Sequence, residues 1–453
     1  MTASSHSQEP QSTMERRRRT PAVGMRVALV ASVVVAAAGP ASASAPGLRG
    51  HDVASSTSRY MEVDYDGIAE GQEPEEIRQY DNGVNLIEMQ MKPDVHADES
   101  KEGLVLSGVV HLSDIYIPPT ALENGGGADY SGVTATFCDY DWGVQKLDPS
   151  AVSKFRDITS LSDHCSDHMY KFNLAELIVS VRAADAQDDS KVRASEPAGF
   201  VFQEPDSGSE VITAAIITAN PEKTRVVSEH PALTKVLNFC DTAKAVHKKE
   251  TCSRQKLKTL VRDVIYLLTR TTDELEDQIY FKPTPAATVN MGIITEMYPK
   301  GRWIFTKKNH DGILTNQMTG KQCRKNKNKP SQALLSFIEA NGAELQGLTD
   351  TEVCAAYLAS LDEVAANQQA LTGTGRIVEV DTELNETQDI VDVLNTLGIR
   401  VGSNRKLFLE EQMEKHAEHR RHFSEEVRPE ISAANARFPS PAMEAYKASK
   451  VSK

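Results

Sequence analysis

Between Pro197 and Ile217 the sequence PAGFVFQEPDSGSEVITAAII sets a short apolar run, a Ser-Gly-Ser turn and a helix-like segment in succession. A strand that ends in such a turn and opens a helix aims free backbone N–H groups at one spot, where the helix dipole also favours an anion. The shape is that of a phosphate-binding loop, but the side chains are not those of nucleotide hydrolases. Those end the loop in Gly-Lys-Ser/Thr, the lysine reaching phosphate and the hydroxyl holding magnesium. Here Gly208 is followed by Ser209 and Glu210, and Asp206 precedes it. A phosphate-loop kinase is therefore not expected. A carboxylate about 4 Å from a bound anion costs roughly 4 kcal/mol at an effective dielectric near 20. Asp206 and Glu210 thus either cap the helix and point away or fill and repel the anion site. Two histidine groups, His164 with His168 and His416 with His419 and His422, have spacings that a divalent cation could share. Neither has an identified further partner, and no metal is expected.

The elements that must position this loop follow from periodicity. From about residue 150 strand-like and helix-like segments alternate, which implies a parallel sheet with helices on both faces. GFVF, RVVS, QIYFK and RWIF read as strands, with GRIVEVDTEL (Gly375 to Leu384) as a fifth. The clearest helix runs from Ser253 to Thr271, with Leu257, Leu260, Val261, Val264, Ile265 and Leu268 on one face. YKFNLAELIVSVRAAD, from Tyr170, reads as another. Upstream, GLVLSGVVHLSDIYI and SGVTATFCDYDW cluster β-branched residues between turn signals, so 80–149 reads as a small β-rich module.

Several segments occur in a recognisable order: the loop at Gln203–Glu210, then VVSEHPAL, KLKTLVRDVIYLLTRT, YFKPTPAAT and GRWIFTKKNHDGILTNQM. In this order, over roughly Ser150 to Ala445, the chain resembles the sulfotransferases that use 3'-phosphoadenosine 5'-phosphosulfate, in their long, divergent branch. The resemblance implies a P-loop-type three-layer α/β domain over 150–402, and sulfuryl transfer from that nucleotide to a hydroxyl acceptor, a carbohydrate being one candidate. It maps the donor loop onto Gln203, Gly208 and Ser209, with Asp206 and Glu210 where the family has a basic residue and a threonine. The adenosine 3'-phosphate would fall to Lys308 and Asn316, in place of the family's arginine and serine. Glu229 is the implied base, with His230 beside it as the alternative, and Lys282 the implied stabiliser of charge on the bridging oxygen. A second reading keeps the fold and loses the chemistry: a binding or scaffold protein.

A chain of 453 residues has room for two or three domains. Its net charge of -14 argues against a nucleic-acid partner. Lys307 with Lys308, and KQCRKNKNK at Lys321 to Lys329, are local basic clusters, each open to reading as an anion contact or a solvated surface. ERRRR followed by the apolar run Val27 to Ala38 and by PASASA reads as a signal peptide or signal anchor over 1–45. The run is short for a membrane span of about 20 residues, so membrane attachment is expected only if the leader stays uncleaved. Residues 46–79 read as an acidic linker and 403–453 as a charged helical tail. Secretory residence, in the Golgi lumen or outside the cell, follows from the leader. The six cysteines and the lone sequon at Asn385 agree with it, and Cys240 with Cys252 would close a polar loop.

Overall fold

The computed structural model describes residues 100–438, apart from 124–128, 163–164, 166–168, 248–251, 312, 315–321, 385, 421–432 and 435. The expected leader and linker, Asn316, His164, His168, His422, Asn385 and the side chains of His416 and His419 lie outside what is described. Lys92–Lys453 forms one compact unit.

Three strands, β1 (His111–Tyr116), β2 (Thr134–Cys138) and β3 (Tyr170–Asn173), form an antiparallel sheet. After them come β4 (Arg193–Ala194), β5 (Pro197–Gln203), β6 (Thr224–Ser228), β7 (Arg270–Thr271), β8 (Gln278–Lys282), β9 (Arg302–Lys307) and β10 (Gly375–Glu379). β4 and β7 make a small antiparallel pair. The other five form the expected parallel sheet in the order β10-β9-β5-β8-β6. β5 lies in the middle, and the chain leaves it first to one side and later to the other. In open α/β sheets the crevice at such a switch point, beyond the strand carboxyl ends, is where ligands bind.

Alternation along the strands builds two cores, one on each face. Phe200, Phe202, Phe281, Trp303 and Phe305 point to the face covered by helices Pro231–His247, Arg254–Thr269, Met291–Met297 and Asp350–Thr372. Val201, Tyr280, Ile304 and Val378 point to the other, beneath Ser209–Ala219, Thr387–Thr396 and Lys406–Arg420. This is the three-layer arrangement. Gly375 is required where β10 meets β9, since a Cβ there would lie 2.0 Å from the Trp303 ring.

Local departures from the sequence reading have local causes. Tyr170–Asn173 is a strand, and the helix begins only at Leu174, because Asn173 turns its side chain to accept from the Ala175 N–H as an N-cap. Of GLVLSGVVHLSDIYI, the first residues belong to the helix Lys101–Leu106, capped by Ser100, and the strand starts at His111. β3 lies past residue 150 yet pairs with β2, so the antiparallel sheet draws on both sides of that position. The fifth strand of the parallel sheet stops at Glu379 and passes into a helical turn, Val380–Glu383.

Cys138–Cys165 and Cys240–Cys252 are disulfides, the second as expected, and Cys354 is disulfide-bonded as well. Among the described residues no helix is long and apolar enough to cross a membrane.

Candidate active site

β5, β6, β8 and β9 all end at the same edge of the sheet, so their last residues converge. The corner after Phe202 and the corner after Phe305 are neighbours: Phe202 pairs with Phe305, Gln203 pairs with Thr306, and the Glu204 N–H donates to the Thr306 carbonyl at 2.9 Å. Ser207 and Thr306 hydroxyls meet at 3.0 Å across the same junction. The loop turns through two left-handed residues, Asp206 at φ 54° and Gly208 at φ 79°, before the helix Ser209–Ala219 begins. Glycine takes that conformation without strain, whereas aspartate sits there at a cost of order 1 kcal/mol or more, a pattern that clusters at functional turns.

Gln203 braces the loop. Its amide nitrogen donates to the Pro283 carbonyl at 2.9 Å and to Glu229 Oε1 at 3.2 Å, while its Oε1 accepts from the buried Ser209 hydroxyl. Its backbone exchanges hydrogen bonds with the Thr288 hydroxyl. Gln203 and Ser209 thus hold the loop's shape through their side chains.

Lys282 is wholly buried at the end of β8 and is no solvated strand-end lysine. Its ammonium lies 3.2 Å from Glu229 Oε1 and 3.6 Å from Glu210 Oε1. Glu229 follows β6 at φ 53°, its N–H donating to the Lys282 carbonyl at 2.7 Å. The left-handed turn swings its carboxylate out of the strand and onto Lys282.

Glu210 does not point away. Lys154, a residue to which the sequence reading gave no role, reaches in from the segment before the helix Phe155–Ser160, 3.2 Å from Glu210 Oε1 and 3.9 Å from Glu229 Oε1. Burial alone would raise the Glu210 carboxyl, but Lys282, then Lys154, and its own backbone N–H hold it down at about 2. Burial would lower the Lys154 ammonium, and Glu229 and Glu210 more than offset this, raising it. Two ammoniums and two carboxylates thus balance at the mouth of the loop.

His230 is no free base. Its Nε2 lies 2.9 Å from the Leu112 carbonyl, and its Nδ1 accepts the Ala232 N–H at 3.2 Å. Burial pushes the imidazole down to about 3. With both nitrogens spent, it serves as a structural pin between β1 and the turn after β6, and the Phe155 ring packs on it at 4.1 Å between centroids.

The cationic tip of β9 divides in two: Lys307 ends the strand and Lys308 stands just past it. Lys307 is buried against Asp362 at 3.2 Å. Lys308 keeps its side chain at the edge, 3.7 Å from Asp381, and its N–H donates to Glu204 Oε2 at 3.2 Å. Beneath it His310 Nε2 lies 2.8 Å from Glu204 Oε1 and 3.6 Å from Asp362 Oδ2. Burial, with Asp362 adding, raises the Glu204 carboxyl despite His310; burial would lower His310, but Glu204 and Asp362 raise it. Among the described residues Glu204, His310 and Asp362 are the group whose donor atoms, all within 4.8 Å of one another, have the composition of a cation site. Lys307 already places an ammonium in this group, 3.2 Å from Asp362 Oδ2.

The second basic cluster lies elsewhere: Arg324 and Lys327 face Asp350 at the start of the helix Asp350–Thr372.

No protein-family model matches this chain, and no curated protein matches it. Among solved structures it is similar to sulfotransferase STF9 from Mycobacterium avium, at 10% identity over 66% of this chain and 85% of that one, TM-score 0.33. It is also similar to the sulfotransferase domain from the Curacin biosynthetic pathway, at 10% identity over 54% of this chain and 98% of that one, TM-score 0.27.

Proposed function

We propose that the protein is a sulfotransferase, moving a sulfuryl group from 3'-phosphoadenosine 5'-phosphosulfate to a hydroxyl acceptor, a carbohydrate being one candidate. The observation that carries this reading is the juxtaposition of Glu229 with the buried Lys282 at 3.2 Å, directly beside the Gly208–Ser209 turn and the start of its helix. A base for an acceptor proton and a fixed cation for a leaving oxygen are thereby set against an anion-binding backbone.

The residues present fit such a donor. Gly208, Ser209 and the first N–H groups of the helix would hold the phosphosulfate, and Lys308 would hold the 3'-phosphate as a point charge without the fork of an arginine. When bound, the donor supplies the sulfuryl group, its sulfur–oxygen bond to phosphate breaking as a bond to the acceptor oxygen forms. Glu229 takes the acceptor's proton on its carboxylate. Lys282, held in place by the strand and by Glu229, keeps its positive charge where negative charge grows on the departing oxygen. Gln203 orients Glu229 through its amide.

Secretory residence belongs to the same proposal, supported by the Cys138–Cys165 and Cys240–Cys252 disulfides and the leader-like sequence. One observation favours the second reading, a non-catalytic binding protein: Glu210 bridges Lys154 and Lys282 and so fills the anion's place. Incubation with sulfur-labelled donor and a panel of glycans, tyrosyl peptides and steroids separates the two. Label transfer that is lost in Glu229→Gln supports the enzyme. Donor binding with no transfer to any acceptor and no donor hydrolysis supports the binding protein.

A further inference from the structure

The antiparallel sheet β1–β3 needs a role, and its attachment to the loop suggests one. His230 ties the β1 carbonyl of Leu112 to the turn that carries Glu229, Lys235 pairs with Asp114 of the same strand, and Phe155 packs on His230. The residue before Phe155 is Lys154, whose N–H donates to Asp157 and whose side chain is about one-quarter exposed. These contacts fix where its ammonium goes, which is onto the loop.

We infer that Lys154 is the donor-binding cation that the loop itself lacks, and that the Glu210 carboxylate is an internal stand-in for the donor's anion, displaced when the donor binds. The inference rests on the sulfotransferase reading and deepens it. Glu210 is held as an entering oxyanion would be: an ammonium at 3.2 Å, a second at 3.6 Å, and a backbone N–H at a helix start. Lys154 and Lys282 balance Glu210 and Glu229, so a phosphosulfate added with Glu210 in place would leave two cations against four negative charges. Withdrawing Glu210 removes one of those charges and frees Lys154 for the incomer. The Glu210 side chain is one-third exposed, so it can turn to water with no movement of the helix. The charge of position 206, reversed from basic to acidic relative to the family resemblance, is thereby answered from a different part of the chain.

The test is calorimetric titration of adenosine 3',5'-bisphosphate into the full chain and into Lys154→Ala, Lys154→Arg, Glu210→Gln and the double variant, with melting curves to confirm folding. Lys154→Ala should weaken binding about tenfold or more, as expected for loss of one charge-assisted contact, while Lys154→Arg retains most of it. Glu210→Gln should tighten binding about tenfold, and that gain should shrink in the double variant, where Lys154 is no longer there to be released. A purely structural role for the pair predicts weaker binding in both single variants. Wild-type binding left unchanged by Lys154→Ala overturns this inference and leaves the function intact. Absence of binding in both wild type and Glu210→Gln overturns the function and the inference with it.

Discussion

Replacing Lys282 by methionine separates the chemical from the structural work of the site. Methionine keeps the length and removes the charge. The ammonium lies 3.2 Å from Glu229 and 3.6 Å from Glu210, so at an effective dielectric near 20 each pair has a gross attraction of about 5 kcal/mol. Most of that is offset by taking a lysine fully out of water. Breaking a fully buried pair costs about 3–5 kcal/mol, but both carboxylates here retain exposure and keep Lys154 as a partner. The net loss of stability should therefore be about 1–3 kcal/mol, a shift of a few degrees in melting temperature. Sulfuryl transfer should suffer far more, by about 10²–10³ in kcat, because a fixed charge at the growing anion is gone. Melting by circular dichroism and initial rates at saturating donor measure the two effects on one preparation. A variant that keeps kcat within about threefold of wild type would show that Lys282 is a structural counter-ion to Glu229 and refute the catalytic assignment.

Further outcomes concern the scaffold and its charge balance. Arg225, buried on β6, lies over the Trp142 ring at 5.0 Å and pairs with Glu276 at 3.1 Å, which Lys146 also meets at 2.9 Å. Arg225→Met should cost about 3–5 kcal/mol, read as a urea midpoint shift, and an unchanged midpoint would contradict it. Removing the Cys240–Cys252 disulfide, which spans 12 residues, by paired Cys→Ser substitution should cost about 3 kcal/mol in the same assay, and a loss under about 1 kcal/mol would count against it. His310 has a raised folded-state pKa, so the stability from its charged pairing with Glu204 is complete below the unfolded value of 6.5 and is lost as pH rises through the folded one. His310→Gln should therefore destabilise more below the unfolded value than at pH above the folded one, read as melting temperature across a pH series; a loss that does not change with pH would remove the charged pairing.

The strands β5, β6, β8 and β9 could be read from the sequence because strands buried on both faces of a parallel sheet are short continuous apolar runs, and each ends at a turn residue or a charge. The same runs put Gln203, Glu229, Lys282 and Lys308 at or just past strand ends that the parallel sheet brings together, while their roles rest on the family resemblance alone. Lys154 was illegible. It is a single lysine in a polar stretch with no periodicity, and only tertiary contact with Glu210 gives it a role. The direction of Glu210 was open for a related reason: helix capping and an inward ion pair both suit a carboxylate in the first turn. The buried group Glu204, His310 and Asp362 left one usable trace, an aspartate within the apolar run AAYLASLDEVAA, where a solvated face would not be expected. His230 misleads from sequence alone, because a histidine beside a glutamate reads as a base until Leu112 and Ala232 are seen to occupy both nitrogens.

The most direct test of the account is whether the carboxyl edge of the sheet grips the nucleotide. Titration of adenosine 3',5'-bisphosphate into the full chain should give submillimolar binding that weakens about tenfold in Lys308→Ala, which removes the cation proposed for the 3'-phosphate. No heat of binding in wild type and Glu210→Gln alike, or equal affinity in Lys308→Ala, would contradict it.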